Sequence, residues 1–208
     1  MDKEIIKELI DKRICRQGLK EAVLLSEVAE RVESGVIVEI GRNRGGSLVI
    51  LAKSSTNSYV YSIDRHDHKD AGTLDLCNKY GITNYKMLVG DSGKIGESWD
   101  KEKEIDLLFV DGDHSYEGVY RDLRIWVPYV KKFGIVMMHD CPLRSWSKNK
   151  RKIRTYEPSR KALRRFNSKN GDLKTITTAR TMRYLIKQCE KKRNENLSRC
   201  WRAHGTNT

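Results

Sequence analysis

Val36-Ile-Val-Glu-Ile-Gly-Arg-Asn-Arg-Gly-Gly-Ser47 is the most informative segment of this chain. Its first five residues place four apolar side chains around one carboxylate, which favours a parallel strand that is covered on both faces. Three glycines follow, Gly41, Gly45 and Gly46, and they allow the backbone to turn tightly and to approach a ligand. A helix beginning at the end of the segment would direct its N-terminus to the same place. The segment therefore predicts a strand, a glycine loop and a helix around a nucleotide-like cofactor.

The spacing of the glycines narrows the kind of cofactor. A dinucleotide fingerprint has glycine at the first, third and sixth positions of the loop, and Asn43 occupies the third position here. NAD is therefore disfavoured, and the motif is instead Glu-Ile-Gly-x-x-x-Gly, from Glu39 to Gly45. Arg42 and Arg44 are unusual in such a loop, and they either meet a carboxylate of the cofactor or face water.

Four further apolar runs follow the first one, and each ends in polar or acidic residues. The runs and their endings are Tyr59–Asp64, Tyr85–Val89 with Gly90-Asp91-Ser92, Ile105–Val110 with Asp111-Gly-Asp-His114, and Phe133–Met138 with His139-Asp140. Helical stretches separate the runs, and this alternation indicates a doubly wound α/β sheet with its site at the carboxyl ends of the strands. Two later runs, Leu173–Thr178 and Met182–Ile186, predict a β-hairpin.

This ordered set of motifs resembles the class I S-adenosylmethionine (SAM) dependent methyltransferases over about residues 30–187. The resemblance implies a Rossmann-like, seven-stranded sheet that is mostly parallel with one antiparallel strand. It also implies one methyltransferase domain over residues 1–187 that uses SAM as its methyl donor. The hairpin would supply the sixth and seventh strands.

The resemblance places eight residues around SAM: Glu39, Gly41, Gly45, Ser47, Asp64, Asp91, Ser92 and Asp111. Glu39 and the loop glycines would hold the methionine end of the cofactor. Asp64 ends the second run, where a carboxylate accepts hydrogen bonds from the two ribose hydroxyls. Asp91 and Ser92 would lie near the adenine.

The chemistry is expected where the fourth and fifth runs end. Val110-Asp-Gly-Asp-His114 and Met138-His-Asp140 resemble the metal-dependent sugar and macrolide O-methyltransferases. By that resemblance Asp111 and Asp140 are ligands of a divalent metal, Mg²⁺ or Mn²⁺, and His114 is the general base, with Asp111 also in a catalytic role. His139 is a third candidate ligand, and it stands where the sugar enzymes tend to carry an acid. Because imidazole ligates Mg²⁺ poorly, the identity of the metal and a metal-free site both stay open.

The flanking segments have simpler patterns. Apolar residues at helical spacing predict two N-terminal helices within residues 1–34, around Ile5–Ile10 and Leu19–Val32. Trp146–Arg154 is predicted as a basic loop, and a helix is predicted from Pro158 to Phe166. Residues 188–208 are expected to form a basic C-terminal tail.

Charge is distributed unevenly along the chain, whose formal net charge is +13. Residues 142–208 hold 20 Lys/Arg against 4 Asp/Glu, whereas residues 1–141 hold 21 against 24. This asymmetry indicates an acidic partner for the C-terminal third, either a phosphorylated substrate or a nucleic acid, unless that part is only a solvated basic face.

Other sequence features point to a cytoplasmic protein. No apolar stretch approaches the roughly 20 residues that span a bilayer, and the first residues show no signal-peptide pattern. The five cysteines are scattered and form no Cys-x-x-Cys pair, so reduced thiols are expected. A homo-oligomer stays open, because no pattern in the sequence addresses it.

The predicted function is SAM-dependent O-methylation of a small molecule or glycoside. Methylation of a base amine is disfavoured because Asp111-Gly-Asp-His114 replaces the expected Asn/Asp-Pro-Pro-aromatic motif. An RNA-directed methyltransferase recruited by the basic third is the first alternative, although the fifth run lacks the lysine of ribose methyltransferases. A non-catalytic SAM-fold protein that binds an acidic partner is the second.

Overall fold

A computed structural model describes residues 1–143 and 150–188 of the chain. Its strands are β1 (Val36–Ile40), β2 (Tyr59–Asp64), β3 (Tyr85–Val89), β4 (Ile105–Val110), β5 (Val130–Met138), β6 (Leu173–Ala179) and β7 (Met182–Lys187). Its helices are α1 (Lys3–Asp11), α2 (Leu19–Ala29), α3 (Gly46–Ser54), α4 (Asp70–Lys79), α5 (Ser92–Glu97), α6 (Tyr116–Trp126), α7 (Lys150–Thr155) and α8 (Glu157–Asn170). A short 3₁₀ turn, Val127–Tyr129, precedes β5.

The strands form one seven-stranded sheet in the order β3-β2-β1-β4-β5-β7-β6. β1 pairs in parallel with β2 and β4, and β3 and β5 extend the sheet in parallel on either side. β7 runs antiparallel to both β5 and β6. The predicted α/β sheet with one antiparallel strand is therefore confirmed, and so is the hairpin.

Two layers of helices cover the sheet, because alternate residues of its central strands enter two different cores. On one face Ile37 and Phe109 pack with residues of α1, α2 and α3. On the other face Val38 and Leu108 pack with residues of α6 and α8. This two-sided burial explains why the central strands are continuous apolar runs in the sequence.

The strand order reverses between β1 and β4, since β1 leads to β2 on one side and the chain returns to β4 on the other. In open α/β sheets the crevice at such a switch point, beyond the carboxyl ends of the strands, is where ligands bind. Both predicted site motifs begin there, at Gly41 and at Asp111.

The basic segment before α8 differs in part from its prediction. Residues 150–154 lie in α7 rather than in a loop, whereas residues 144–149 lie outside the described residues. Helix α8 begins one residue before Pro158 and extends beyond Phe166. The expected tail, residues 188–208, also lies outside the described residues apart from Gln188.

Within the described ranges, no helix is long and apolar enough to cross a membrane. The cysteines in these ranges, Cys15, Cys77 and Cys141, are free and buried.

Candidate active site

A cleft of about 970 Å³ lies beyond the carboxyl ends of β1 to β5. The segment between α1 and α2 and the turn between β6 and β7 close it on one side. Eight of the predicted site residues line it: Gly41, Ser47, Asp64, Ser92, Asp111, His114, His139 and Asp140. The fold therefore brings the cofactor motifs and the polar ends of β4 and β5 into a single cleft.

The glycine loop passes so close to the loop after β4 that no side chain fits between them. Gly41 has a φ of +99°, and a Cβ atom there would lie 2.2 Å from the carbonyl oxygen of Asp111. Gly45 also has a positive φ, at +78°, and forms the N-cap of α3, where a Cβ atom would meet Thr73 at 2.4 Å. Both glycines are thus required by backbone conformation and by close packing, and the loop leaves the N-terminus of α3 facing the cleft.

Asp64 is held at the end of β2 by the loop itself. Its Oδ2 accepts a hydrogen bond from the backbone N–H of Asn43 at 2.7 Å, and its Oδ1 accepts one from the N–H of His66 at 3.0 Å. Asn43 reaches this position with a φ of +49°. A carboxylate has about four lone-pair sites, so both oxygens can still accept a ligand hydroxyl.

Glu39 lies beneath the glycine loop and does not line the cleft. Its side chain is fully buried, and Ser62 donates a hydrogen bond to its Oε2. Burial raises the pKa of Glu39 to about 7, although the hydroxyls of Ser47 and Ser62 favour the charged form. Oε1 is buried without a hydrogen-bond partner among the described residues, and a donor arriving with a ligand would relieve this arrangement.

Arg42 has a structural position that neither of its two predicted roles describes. Its guanidinium is buried and makes a bidentate contact with Asp70, at 2.9 and 2.8 Å, and it also donates to the carbonyl oxygen of Ser62 at 2.5 Å. The residue therefore ties the glycine loop to α4 and to β2. Arg44 is exposed, in agreement with the alternative that it faces water.

The two residues predicted to lie near the adenine, both in the loop after β3, have different positions relative to the cleft. Asp91 caps α5 by accepting a hydrogen bond from the N–H of Lys94 at 3.1 Å, and it pairs with Arg121 at 3.2 Å. It does not line the cleft, whereas Ser92 does. The Ser92 hydroxyl donates to the buried Asp122 at 2.7 Å.

A chain of polar side chains connects the ends of β4 and β5. Nδ1 of His139 lies 3.0 Å from Oδ1 of Asp111, and the amide of Gln17 donates to Oδ2 of the same carboxylate at 2.5 Å. Nε2 of His139 lies 3.7 Å from Glu21 and 3.4 Å from the hydroxyl of Thr181. Both oxygens of Asp111 are thus already engaged by protein groups.

These carboxylates determine the charge of His139. Burial alone would lower the pKa of the ring, but Asp111 and Glu21 raise it to about 11. The side chain is therefore an imidazolium at neutral pH. In this form it has no lone pair with which to accept a proton or to ligate a metal.

Glu21 is a member of this cluster that the sequence analysis missed. It lies in the first turn of α2 and accepts hydrogen bonds from the N–H and the hydroxyl of Thr181, at 2.8 and 2.6 Å, and from the N–H of Gly18 at 2.7 Å. Burial opposes its charge, but the ion pair with His139 and the hydrogen bonds from Thr181 lower its pKa to about 2. Its local signal, a Glu three residues after a helix N-cap, indicates only a capping box.

The predicted general base, His114, lies at the exposed side of the cleft. Half of its side chain is accessible, and its Nδ1 lies 3.7 Å from Oδ2 of Asp140. Asp140 itself has a φ of +49°, which turns the chain at the end of β5. His114 is therefore placed beside a carboxylate that can orient its ring, with its other nitrogen available.

The predicted metal site is not formed in the described ranges, which contain no group of three or more His, Cys, Asp or Glu side chains arranged to hold a metal ion. Asp111, His139 and Asp140 do lie together, since Nδ1 of His139 is 3.6 Å from Oδ1 of Asp140. However, His139 is charged, and Asp111 is bonded to it and to Gln17. These residues consequently do not fit a metal without breaking those contacts.

Comparisons with known proteins agree with this geometry. A family model described as a methyltransferase domain matches residues 38–141, which is half of the chain. The uncharacterized protein R132 of Acanthamoeba polyphaga mimivirus is 28% identical over 118 residues, which cover 53% of this chain and 53% of that protein. The chain thus spans about half the length of this curated relative.

Similar solved structures show the same fold. They include the O-methyltransferase TomG from Streptomyces achromogenes in complex with SAM, with a TM-score of 0.69 and 14% identity over 91% of this chain and 92% of that one. The SAH-bound methyltransferase PaMTH1 of Podospora anserina has a TM-score of 0.68 and 15% identity over 89% and 87%. An rRNA methylase from Streptococcus thermophilus has a TM-score of 0.56 and 12% identity over 80% and 95%. The chain therefore belongs to the methyltransferase domain family.

Proposed function

We propose that this methyltransferase transfers the methyl group of SAM to a hydroxyl of a small molecule or glycoside. One observation carries the proposal: His114, a half-exposed histidine beside Asp140, lines the same cleft as the glycine loop and Asp64. Methylation of a hydroxyl requires a proton acceptor next to the donor, and the cleft supplies one.

Residues in the cleft and directly beneath it fit SAM at three places. Asp64 is held by backbone N–H groups with lone pairs free for the ribose hydroxyls. Gly41 allows the loop to lie against Asp111, and the unpaired oxygen of Glu39 is buried below it.

SAM supplies an activated methyl group when it is bound. The protein has to align the acceptor oxygen with that group and to remove one proton. His114 takes the hydroxyl proton as the new carbon–oxygen bond forms and the carbon–sulfur bond breaks, which leaves S-adenosylhomocysteine. Asp140, 3.7 Å from Nδ1 of His114, orients the ring. The bonded set of Gln17, Asp111 and His139 fixes the wall of the cleft beside this reaction.

A divalent metal does not enter this mechanism, because the predicted ligands do not fit one as they are arranged. Turnover should therefore persist when divalent ions are chelated. Loss of activity in EDTA with recovery on addition of Mg²⁺ or Mn²⁺ would show that Asp111 leaves Gln17 and His139 to bind a metal.

RNA is a second candidate for the acceptor. The basic C-terminal third favours it, and the fold likeness to an rRNA methylase is compatible with it. Three other points stay predictions: an acidic partner of the basic C-terminal third, a homo-oligomer and a cytoplasmic location. A non-catalytic role is disfavoured, because a binding module has no need of both a cofactor loop and a base beside it.

The proposal is tested by two measurements on the full chain. Calorimetry should show SAM binding, and a transfer assay against hydroxylated small molecules and against RNA, with and without EDTA, should identify the acceptor. Transfer to small-molecule hydroxyls supports the proposal. Transfer to RNA alone, or binding of SAM without any transfer by a chain that is saturated with it, contradicts the proposal.

A further inference from the structure

The arginines of the cleft fall into two groups. Five line it: Arg16, Arg42, Arg65, Arg121 and Arg180. Three of them form ion pairs with carboxylates. Arg42 pairs with Asp70, and Arg65 and Arg121 both pair with Asp91. Arg16 and Arg180 make no hydrogen bond or ion pair with any residue that the structure describes, and both are exposed to solvent.

These two arginines come from different segments that meet at one side of the cleft. Arg16 lies between α1 and α2, and Arg180 lies in the turn between β6 and β7. A Cβ atom at Gly18 would lie only 3.2 Å from Nη1 of Arg180, so the Arg180 guanidinium lies against the segment that carries Arg16. Both arginines thus line the cleft on the side where this segment and the hairpin turn meet.

The backbone of the hairpin turn adds a second observation. Arg180 has a φ of +52°, a conformation in which glycine or asparagine is the usual residue.

The acids nearest to this side, Glu21 and Asp140, face His139 at 3.7 and 3.6 Å and so are engaged elsewhere. Tyr156 also lines this side, and Arg180 is close enough to lower the pKa of its hydroxyl, which burial raises.

We infer that the acceptor carries an acidic group, a phosphate or a carboxylate, that Arg16 and Arg180 bind at the mouth of the cleft. The inference rests on the proposed function and defines its substrate class. Two guanidinium groups provide paired N–H donors that match the oxygens of either anion. The acid would hold the acceptor while its hydroxyl lies between His114 and the methyl donor.

The test uses the full chain saturated with S-adenosylhomocysteine at constant ionic strength. Inorganic phosphate and benzoate serve as probes of the two anion types, and calorimetry measures their dissociation constants. The test variants are Arg16→Gln and Arg180→Asn, since asparagine tolerates the positive φ. The matched control is Arg165→Gln. Arg165, like Arg180, is an exposed arginine of the basic C-terminal third, but it lies outside the cleft.

Either probe should bind the wild type, and each cleft variant should weaken that probe about tenfold or more, whereas Arg165→Gln should not. Equal affinities in all proteins would overturn the inference, and so would equal weakening by Arg165→Gln. Binding of an RNA oligonucleotide that depends on Arg165 as strongly as on Arg180 would assign the acidic partner to the basic surface instead, which would also overturn it.

SAM affinity, measured in parallel, separates this inference from the proposed function. A wild type that binds no SAM contradicts the proposed function, whatever the anion result. A wild type that binds SAM but whose anion affinity is unaffected by the two cleft variants contradicts only the inference. A matched pair of acceptors, 3,4-dihydroxybenzoate and 3,4-dihydroxybenzamide, adds an activity measurement, in which preference for the acid should disappear in Arg180→Asn.

Discussion

At the residue scale, the cleft depends on side chains that the fold holds in defined states of charge. The two histidines after β4 and β5 differ because of their surroundings. His139 is buried among carboxylates that keep it protonated, whereas His114 is half exposed beside a single carboxylate. The same residue type therefore gives a fixed cation at one position and a candidate base at the other.

Replacement of Asp64 tests the cofactor site. Asp64→Ala should weaken SAM by about 1.5–3 kcal/mol, the range for hydrogen bonds to a charged group. Calorimetry measures the change, and Asp75→Ala, at an exposed acid of α4, is the matched control. Unchanged SAM affinity in Asp64→Ala would remove this residue from the cofactor site.

Replacement of His114 tests the chemical step. His114→Ala should lower the rate of methyl transfer by about 10²–10⁴, the usual contribution of a general base, while SAM affinity stays near that of the wild type. Single-turnover kinetics measure the rate, and His68→Ala, at an exposed histidine outside the cleft, is the control. If His114→Ala turns over as fast as the control, deprotonation belongs to another group.

The buried carboxyl of Glu39 predicts a dependence of stability on pH. Because its pKa is raised in the folded state, its contribution to stability is full below pH 4.5 and declines as pH rises through about 7. The shift corresponds to about 3 kcal/mol. Denaturant unfolding without SAM should therefore show wild type losing stability relative to Glu39→Gln between pH 4.5 and 7.5. Parallel curves for the two proteins would show that Glu39 ionises normally.

At the element scale, the glycine loop is positioned by backbone hydrogen bonds and by one buried ion pair. Gly41 donates its N–H to the carbonyl oxygen of Ile63 at 2.8 Å, and the N–H of Asp111 donates to the carbonyl of Ile40 at 2.8 Å. The ends of β1, β2 and β4 are thereby locked together at the switch point of the sheet. Arg42 and Asp70 then fix the loop to α4.

Two alanine substitutions compare a glycine that the backbone and packing require with one that they do not. Gly41→Ala should lower the free energy of unfolding by about 1–3 kcal/mol and weaken SAM, because the residue has a positive φ and its Cβ would meet Asp111. Gly72→Ala in α4 meets nothing within 4 Å and should raise stability by roughly 0.5–1 kcal/mol. Thermal or denaturant unfolding measures both changes. Equal effects of the two substitutions would contradict the packing that the structure shows at Gly41.

At the scale of the whole molecule, the sheet was predictable because each strand can be recognised from the residues within it. Each strand is an apolar run with a polar end, and the hairpin follows the same pattern, so the number of strands followed from the sequence. The contact between Glu21 and Thr181 had no such signal, since the two residues lie 160 positions apart. The burial of Arg42 was also unforeseen, because an arginine in a loop is normally exposed.

The predicted metal ligands show a further limit of sequence reasoning. Residue types at strand ends indicated that Asp111, His139 and Asp140 would converge, and they do. The sequence could not show that Gln17 and Glu21, from the N-terminal segment, would engage the cluster. Those long-range contacts determine whether the carboxylates are available to a cation.

The cleft is proposed to move a methyl group from SAM to a hydroxyl oxygen. The most direct measurement follows isotope-labelled methyl from SAM into small hydroxylated acceptors, in excess EDTA, with mass spectrometry to locate the new bond. The wild type should give labelled O-methyl product, and His114→Ala should give almost none. Label found only in RNA, label found on nitrogen or carbon, or labelling that is abolished by EDTA in the wild type would contradict it.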